Sequence, residues 1–344
     1  FTCDTEHSVL TRNHQEASLE WRLMVTKQTI VFLKSHKPDE HRIALLPQDL
    51  THITHPEMIY LETGYGQDLG ICDTSYSNLG VQIVPRQIVL EQSIICEPKI
   101  GESDILSQLQ AHQTIFGWIH AKQSLNITNA LLATGVRVIA WEELSDNQQH
   151  TFWRNNELAG EAAILHAFLL TGQMPYDTKV ALIGRGSVAF GATRVLQGLG
   201  ADVTVIRRNQ ENLLRQTLGN FDVVVNASLW DMNREDHLIT TEDLALMQPG
   251  SLIIDISADA GGGIESSHIT TMSSPTYEVN QVTHYVVDHT PSILYKTASK
   301  SISQAISPFL NDLISNRENS VLTQATIIDK GKILDLDILD FQAL

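Results

Sequence analysis

The chain has 344 residues, 42% of them hydrophobic and 18% charged, with 23 basic against 40 acidic side chains and a formal net charge of −17. That apolar fraction excludes a disordered chain, and the length exceeds what one hydrophobic core usually spans, so two domains are expected. The acidic balance argues against nucleic acid or an anionic membrane surface as the main partner, and leaves room for a small anion in a locally basic pocket.

Residues 1–26 are polar with isolated apolar positions and open on Phe1, and they read as an N-terminal extension. The three cysteines, Cys3, Cys72 and Cys96, form no CxxC pair, which suggests neither a disulfide framework nor a zinc site. The histidines show no HxH or HExxH spacing, so no metal is expected. No stretch approaches the roughly 18 apolar residues of a membrane helix, and the start is not a basic-then-apolar leader. A cytoplasmic location is the expectation.

From Lys27 the pattern changes to Thr29-Ile30-Val31-Phe32-Leu33, which predicts a buried strand. Short apolar runs then recur at Met58–Leu61, Val81–Val84, Ile94–Cys96, Thr114–Ile119 and Val136–Ala140, separated by helix-like stretches. This alternation predicts a parallel α/β layer. Asn156 to Leu170 reads as one long helix, ended by Thr171-Gly172 and Pro175. A second α/β series follows, with strands at Lys179–Ile183, Asp202–Ile206, Phe221–Ala227, Ser251–Ile256 and His284–Asp288, and right-handed crossovers to be expected between them. Ser299 to Leu313 reads as an amphipathic helix. The fold class is therefore α/β, with two Rossmann-like domains built on parallel sheets.

Gly184-Arg185-Gly186-Ser187-Val188-Ala189 ends an apolar strand and opens a helix, giving a G-x-G-x-x-A loop in the context that gives this pattern weight. The first glycine serves the tight turn, the second allows backbone to approach a pyrophosphate, and the third position needs only a small residue. The helix N-terminus adds free N–H groups and partial positive charge. The next strand ends in Arg207-Arg208, where an acidic residue would grip the ribose 2′-hydroxyl of NAD. Adjacent arginines suit a 2′-phosphate instead, so NADP(H) is the expected cofactor. Ala227 and Ser228, at the end of a neighbouring strand, are assigned to the same cofactor edge.

In the first half, Arg42 follows the first strand, Glu97-Pro98-Lys99 follows Ile94–Cys96, and His120 follows Ile115–Ile119. Polar groups at the carboxyl ends of different strands converge on the edge where open parallel sheets bind ligands. Arg42 can offer a planar fork to a carboxylate.

Four stretches carry a specific likeness: Glu40-x-Arg-x-Ala-x-x-Pro47, Ile-Phe-Gly-Trp-Ile-His at 115–120, Gly-Arg-Gly at 184–186, and Asp255-Ile-Ser-Ala-Asp259-Ala-Gly-Gly-Gly-Ile-Glu265. In this order the chain resembles the alanine dehydrogenase and transhydrogenase α-subunit superfamily, which includes saccharopine dehydrogenases, over about residues 28–310. Cys96-Glu97-Pro98-Lys99-Ile100-Gly101, the 115–121 block and Gly-Arg-Gly are most similar to its opine-type N5-(carboxyethyl)ornithine synthase branch. The resemblance implies reductive condensation of pyruvate with the side-chain amine of ornithine, using NADPH. It also implies that the helix at 299–313 crosses back, so that the catalytic domain is discontinuous, 27–145 plus 296–344, with a dinucleotide-binding domain at 146–295 inserted into it.

The resemblance also implies Arg42 as the substrate-carboxylate arginine, His120 as the catalytic histidine and Asp259 as the aspartate beside the nicotinamide. Cys96 stands where alanine dehydrogenases carry a lysine, and Lys99 lies just beyond the proline, positioned to take over in catalysis or substrate binding. Asp288 stands where those enzymes have asparagine. Asp288 and Glu265 are the candidate partners of a diamino acid's distal ammonium. Pyruvate and ornithine or lysine are the expected substrates, and a homo-oligomer the expected state. Alanine dehydrogenase, a saccharopine-type dehydrogenase and a non-catalytic NADP-binding protein are the alternatives.

Overall fold

A computed structural model describes residues 27–231, 234–258 and 262–342. The first half of the chain lays down six short parallel strands: β1 (Ile30–Phe32), β2 (Ile59–Glu62), β3 (Gln82–Val84), β4 (Ile94–Cys96), β5 (Thr114–Gly117) and β6 (Arg137–Ala140). Most of their residues are buried on both faces, as β-branched runs in a covered parallel sheet require. Helix α1 (Leu125–Thr134) connects β5 to β6; Ser124 caps its first turn and Gly135 ends it in the left-handed region. A small hairpin of β7 (Ser145–Asp146) and β8 (Gln149–His150) leads into α2 (Trp153–Thr171).

The second sheet is built from β9 (Lys179–Ile183), β10 (Asp202–Ile206), β11 (Val223–Asn226), β12 (Leu252–Asp255), β13 (Thr276–Val279) and β14 (Val282–Tyr285), with α3 (Ser187–Gly198) crossing from β9 to β10. Its order is β10-β9-β11-β12-β14-β13. The order reverses beside β9, and such a switch point opens a crevice at the carboxyl ends of the strands. Helix α4 (Tyr295–Ile314) then carries the chain back: Ile302, Ile306 and Leu310 are fully buried in the core of the first sheet. There β15 (Thr326–Asp329) and β16 (Lys332–Ile333) complete an eight-stranded order, β16-β15-β6-β5-β4-β1-β2-β3.

The sheets are parallel-rich with antiparallel edges: β13 pairs antiparallel to β14, and β15 to β6 and β16. The sequence reading did not foresee these edges, because hairpin-linked edge strands are short and carry little apolar periodicity. Helices α2 and α3 pack closely through two glycines. A Cβ on Gly160 would meet the Val188 carbonyl oxygen at 2.1 Å, and one on Gly191 would meet that of Glu157 at 1.9 Å. Arg154 and Arg194 close the edge of this contact on Glu157 and Glu161. Among the described residues, no helix is long and apolar enough to cross a membrane.

Candidate active site

The carboxyl edges of the two sheets line one cavity of about 990 Å³. In the first sheet β5, β4 and β1 are neighbours, so the segments that follow them lie side by side. The segment after β4 is held against β5 at van der Waals limits. A Cβ on Gly101 would sit 1.9 Å from the Ile119 carbonyl oxygen, and one on Gly117 would sit 2.1 Å from that of Glu97. Gly101 N–H donates to the Trp118 carbonyl at 3.1 Å, and Trp118 N–H to that of Pro98 at 3.3 Å.

These contacts bring Lys99 and His120 together, with Lys99 Nζ 3.1 Å from His120 Nε2 and 3.1 Å from Glu102 Oε1. His120 adopts a positive φ of 55°, uncommon for a non-glycine residue. Glu142 supports that turn: its Oε1 accepts the backbone N–H groups of Ile119 and His120, both at 2.7 Å. Burial lowers the His120 pKa to about 3, helped by the neighbouring Lys99 ammonium, so the imidazole is neutral at pH 7. Lys99 is also lowered by burial, whereas burial raises Glu142 to about 6. Around them charges alternate: Lys37 Nζ lies 2.6 Å from Glu102 and 2.7 Å from Asp288. The Asp288 carboxyl, which also pairs with His289, is held well below the usual range.

Two expected substrate groups sit differently from the sequence reading. Arg42 is buried, and its fork is already occupied: Nε and an Nη reach Glu40 at 2.8 and 2.5 Å, and the other Nη reaches Asn155 at 3.3 Å. It stacks over Trp118 at 5.0 Å and does not line the cavity. The acid two residues upstream is the signal that was available for this. Glu265 is exposed and lies outside the cavity, its carboxylate accepting the Thr241 N–H at 2.6 Å. Asp259 lies outside the described residues. Lys37, Glu102 and Glu142 were not singled out from sequence, since their roles arise only when separate strand ends meet.

The second sheet supplies the rest of the cavity. Gly184, at φ +117°, makes the turn, and a Cβ there would strike the Ala227 carbonyl oxygen at 2.3 Å. A Cβ on Gly186 would meet nothing within 4 Å, so the loop leaves open space at the start of α3. Arg185, Ser187, Val188, Ala227 and Ser228 line this half of the cavity, while Ala189 is buried and packs the helix on its strand. Asn226, fully buried, donates to Asp255 at 2.9 Å and accepts from the Ser228 hydroxyl at 2.7 Å, fixing two strand ends at the switch point. An open glycine cradle at a helix N-terminus fits a dinucleotide pyrophosphate.

At the far end, Arg207 lines the cavity with an exposed side chain. Arg208 opens a single turn, Arg208–Gln210, and its side chain lies outside the described residues. Six described arginines, at 42, 86, 154, 194, 215 and 234, are paired with carboxylates. Among the described residues, Arg185 and Arg207, which line the cavity, have no ion-pair partner. In so acidic a chain, two unneutralised guanidinium groups on one cavity wall make a local anion site.

Residues 32–153 match the alanine dehydrogenase/PNT N-terminal domain, and residues 206–335 match its C-terminal domain. The N(5)-(carboxyethyl)ornithine synthase of Clostridium botulinum is 31% identical over 299 residues, which cover 80% of this chain and 92% of that protein. The chain belongs to the alanine dehydrogenase/PNT family. It is thus a member of a dehydrogenase-type oxidoreductase family whose fold binds nicotinamide dinucleotides. The alanine dehydrogenase of Mycolicibacterium smegmatis is 26% identical, covering 86% of this chain and 90% of that one. An L-alanine dehydrogenase structure superposes with a TM-score of 0.77 at 21% identity, over 92% of this chain and 99% of that one. A transhydrogenase from Sinorhizobium meliloti follows at 0.71 and 18%, over 89% and 99%. The nucleotide loop at 184–189 falls between the two matched stretches, so its assignment rests on the local geometry.

Proposed function

We propose that this protein catalyses the NADPH-dependent reductive condensation of pyruvate with the side-chain amino group of ornithine or lysine, giving an N-(1-carboxyethyl) amino acid. The observation that carries the reading is a cavity with a neutral His120 beside Lys99 at one end and the unpaired Arg185 and Arg207 at the other. The resemblance to N(5)-(carboxyethyl)ornithine synthases at about 30% identity supports the choice of reaction.

Gly184, Gly186 and the start of α3 would hold the pyrophosphate, and Arg207 the 2′-phosphate. When bound, NADPH supplies the hydride that reduces the imine carbon. Lys99, drawn out of water and paired with a Glu102 that it shares with Lys37, binds the keto-acid carboxylate and fixes the carbonyl carbon in place. His120 Nε2 accepts the proton released as the amine adds to the carbonyl, and returns it as the carbinolamine loses water. A substrate carboxylate beside Lys99 offsets the charge that depresses His120, raising its pKa toward the range in which both transfers are efficient. Asp288, which lines the cavity, would pair with the distal ammonium of a diamino acid, and Asp259 would position the nicotinamide ribose or the amine.

A screen of amine donors against keto acids, followed by nicotinamide absorbance with both cofactors, tests this. NADPH oxidation with pyruvate plus ornithine or lysine is expected, and activity with ammonia alone would point to alanine dehydrogenase chemistry. His120→Ala is expected to lower kcat about 10²- to 10⁴-fold.

A further inference from the structure

Glu211, one helical turn beyond Arg207, lines the same end of the cavity. It opens the helix Glu211–Thr217, where a carboxylate suits the partial positive charge of the first turn. A bare carboxylate here would repel a 2′-phosphate, which carries about −1.5 to −2 charges at pH 7. It is not bare. Arg234 takes both of its oxygens, each at 2.9 Å, in a fork-to-fork pair. Asp236 holds another edge of the same guanidinium through two contacts at 2.7 Å, and Trp230 lies beneath it at 4.3 Å. Trp230 and Arg234 also line the cavity, so this assembly forms its wall rather than a remote surface cluster.

We propose that Arg234 is a cofactor-specificity residue that masks Glu211, keeping its carboxylate from repelling the 2′-phosphate and leaving the unpaired Arg207 to bind it. The inference rests on the NADPH reading and deepens it. Glu211 alone would favour a ribose 2′-hydroxyl, as an acid near this strand end does in NAD-binding proteins. With Arg234 clamped on it, both of its oxygens are engaged and its charge is offset by a guanidinium that it shares with Asp236. Preference at this site is therefore set by a pair brought together across 23 positions of the chain.

The test is calorimetric binding of NADPH and NADH to the full chain, with no turnover required. Wild-type protein is expected to bind NADPH more tightly, and equal or reversed affinity would sink the cofactor reading itself. Arg234→Ala is expected to weaken NADPH at least about tenfold while changing NADH less than about threefold. In Arg234→Ala/Glu211→Gln, NADPH affinity is expected to return to within about threefold of wild type. Glu211→Gln alone is expected to hold NADPH as tightly as wild type or more so. A wild-type preference for NADPH combined with an unaltered ratio in Arg234→Ala overturns the masking role. So does a double variant that fails to recover, because Arg234 would then touch the phosphate itself.

Discussion

His120 and Glu97 show how far single side chains are set by the strand ends they follow. His120 is neutral because burial and the Lys99 ammonium both disfavour its charged form. Glu97, two residues before Lys99, is buried, and its Oε2 has no hydrogen-bond partner. Burial raises its pKa to about 7, against the smaller lowering effects of Ser35, Ser103 and Arg86. A carboxyl whose folded pKa lies above its unfolded value near 4.5 binds protons more tightly when folded. Its contribution to stability is thus greatest at low pH and falls as pH rises from about 4.5 to 7. Glu97→Gln is expected to raise stability at pH 8 by on the order of 2 kcal/mol and to leave it unchanged near pH 4. Urea unfolding at the two pH values checks this, and an equal effect at both would remove the titration argument.

At the level of elements, close approach through glycine positions the chemistry. Gly101 and Gly117 bring the segments after β4 and β5 together, so that Lys99, three residues beyond the buried Cys96 at the end of β4, reaches His120. Gly160 and Gly191 do the same for α2 and α3, and α3 begins at the nucleotide loop. Gly191→Ala would place a methyl group 1.9 Å from the Glu157 carbonyl oxygen, where backbone must yield. The expected cost is about 1–3 kcal/mol, with a lower thermal midpoint and weaker dinucleotide binding. Dinucleotide addition is expected to recover part of the midpoint by mass action. A variant as stable as wild type would show that the helices separate freely.

For the whole molecule, a net charge of −17 surrounds two opposed carboxyl edges, one bearing Lys99 and the other Arg185 and Arg207. The Lys37–Asp288 bridge spans from the segment after β1 to the segment after β14, tying the two sheets at the cavity. Because Arg185 and Arg207 are exposed and lack counter-charges, attraction to a 2′-phosphate is open to screening, with a Debye length of about 8 Å at physiological salt. Raising sodium chloride from about 0.05 to 0.5 M is therefore expected to weaken NADPH binding several-fold more than NADH binding. Parallel salt dependences would place the 2′-phosphate away from these arginines.

What the sequence determined by itself is local: strands and their ends, the glycine loop at 184–189, and His120 and Lys99 beyond their strands. Apolar runs and turn chemistry act over a few residues, so they are legible in one dimension. The likeness of four ordered stretches extended this reach to the family. Tertiary structure decided which of these groups remain available. Arg42 read as a free fork, yet Glu40 folds back on it and Asn155 arrives from α2. Glu265 belonged to a recognisable stretch, yet its carboxylate turns to Thr241. Lys37, Glu142 and the Glu211–Arg234 pair had no signal, because a charge acquires its role from the partner that burial brings to it. Coulombic and hydrogen-bond energies depend on distances in space, and only the folded arrangement sets those between residues far apart in the chain.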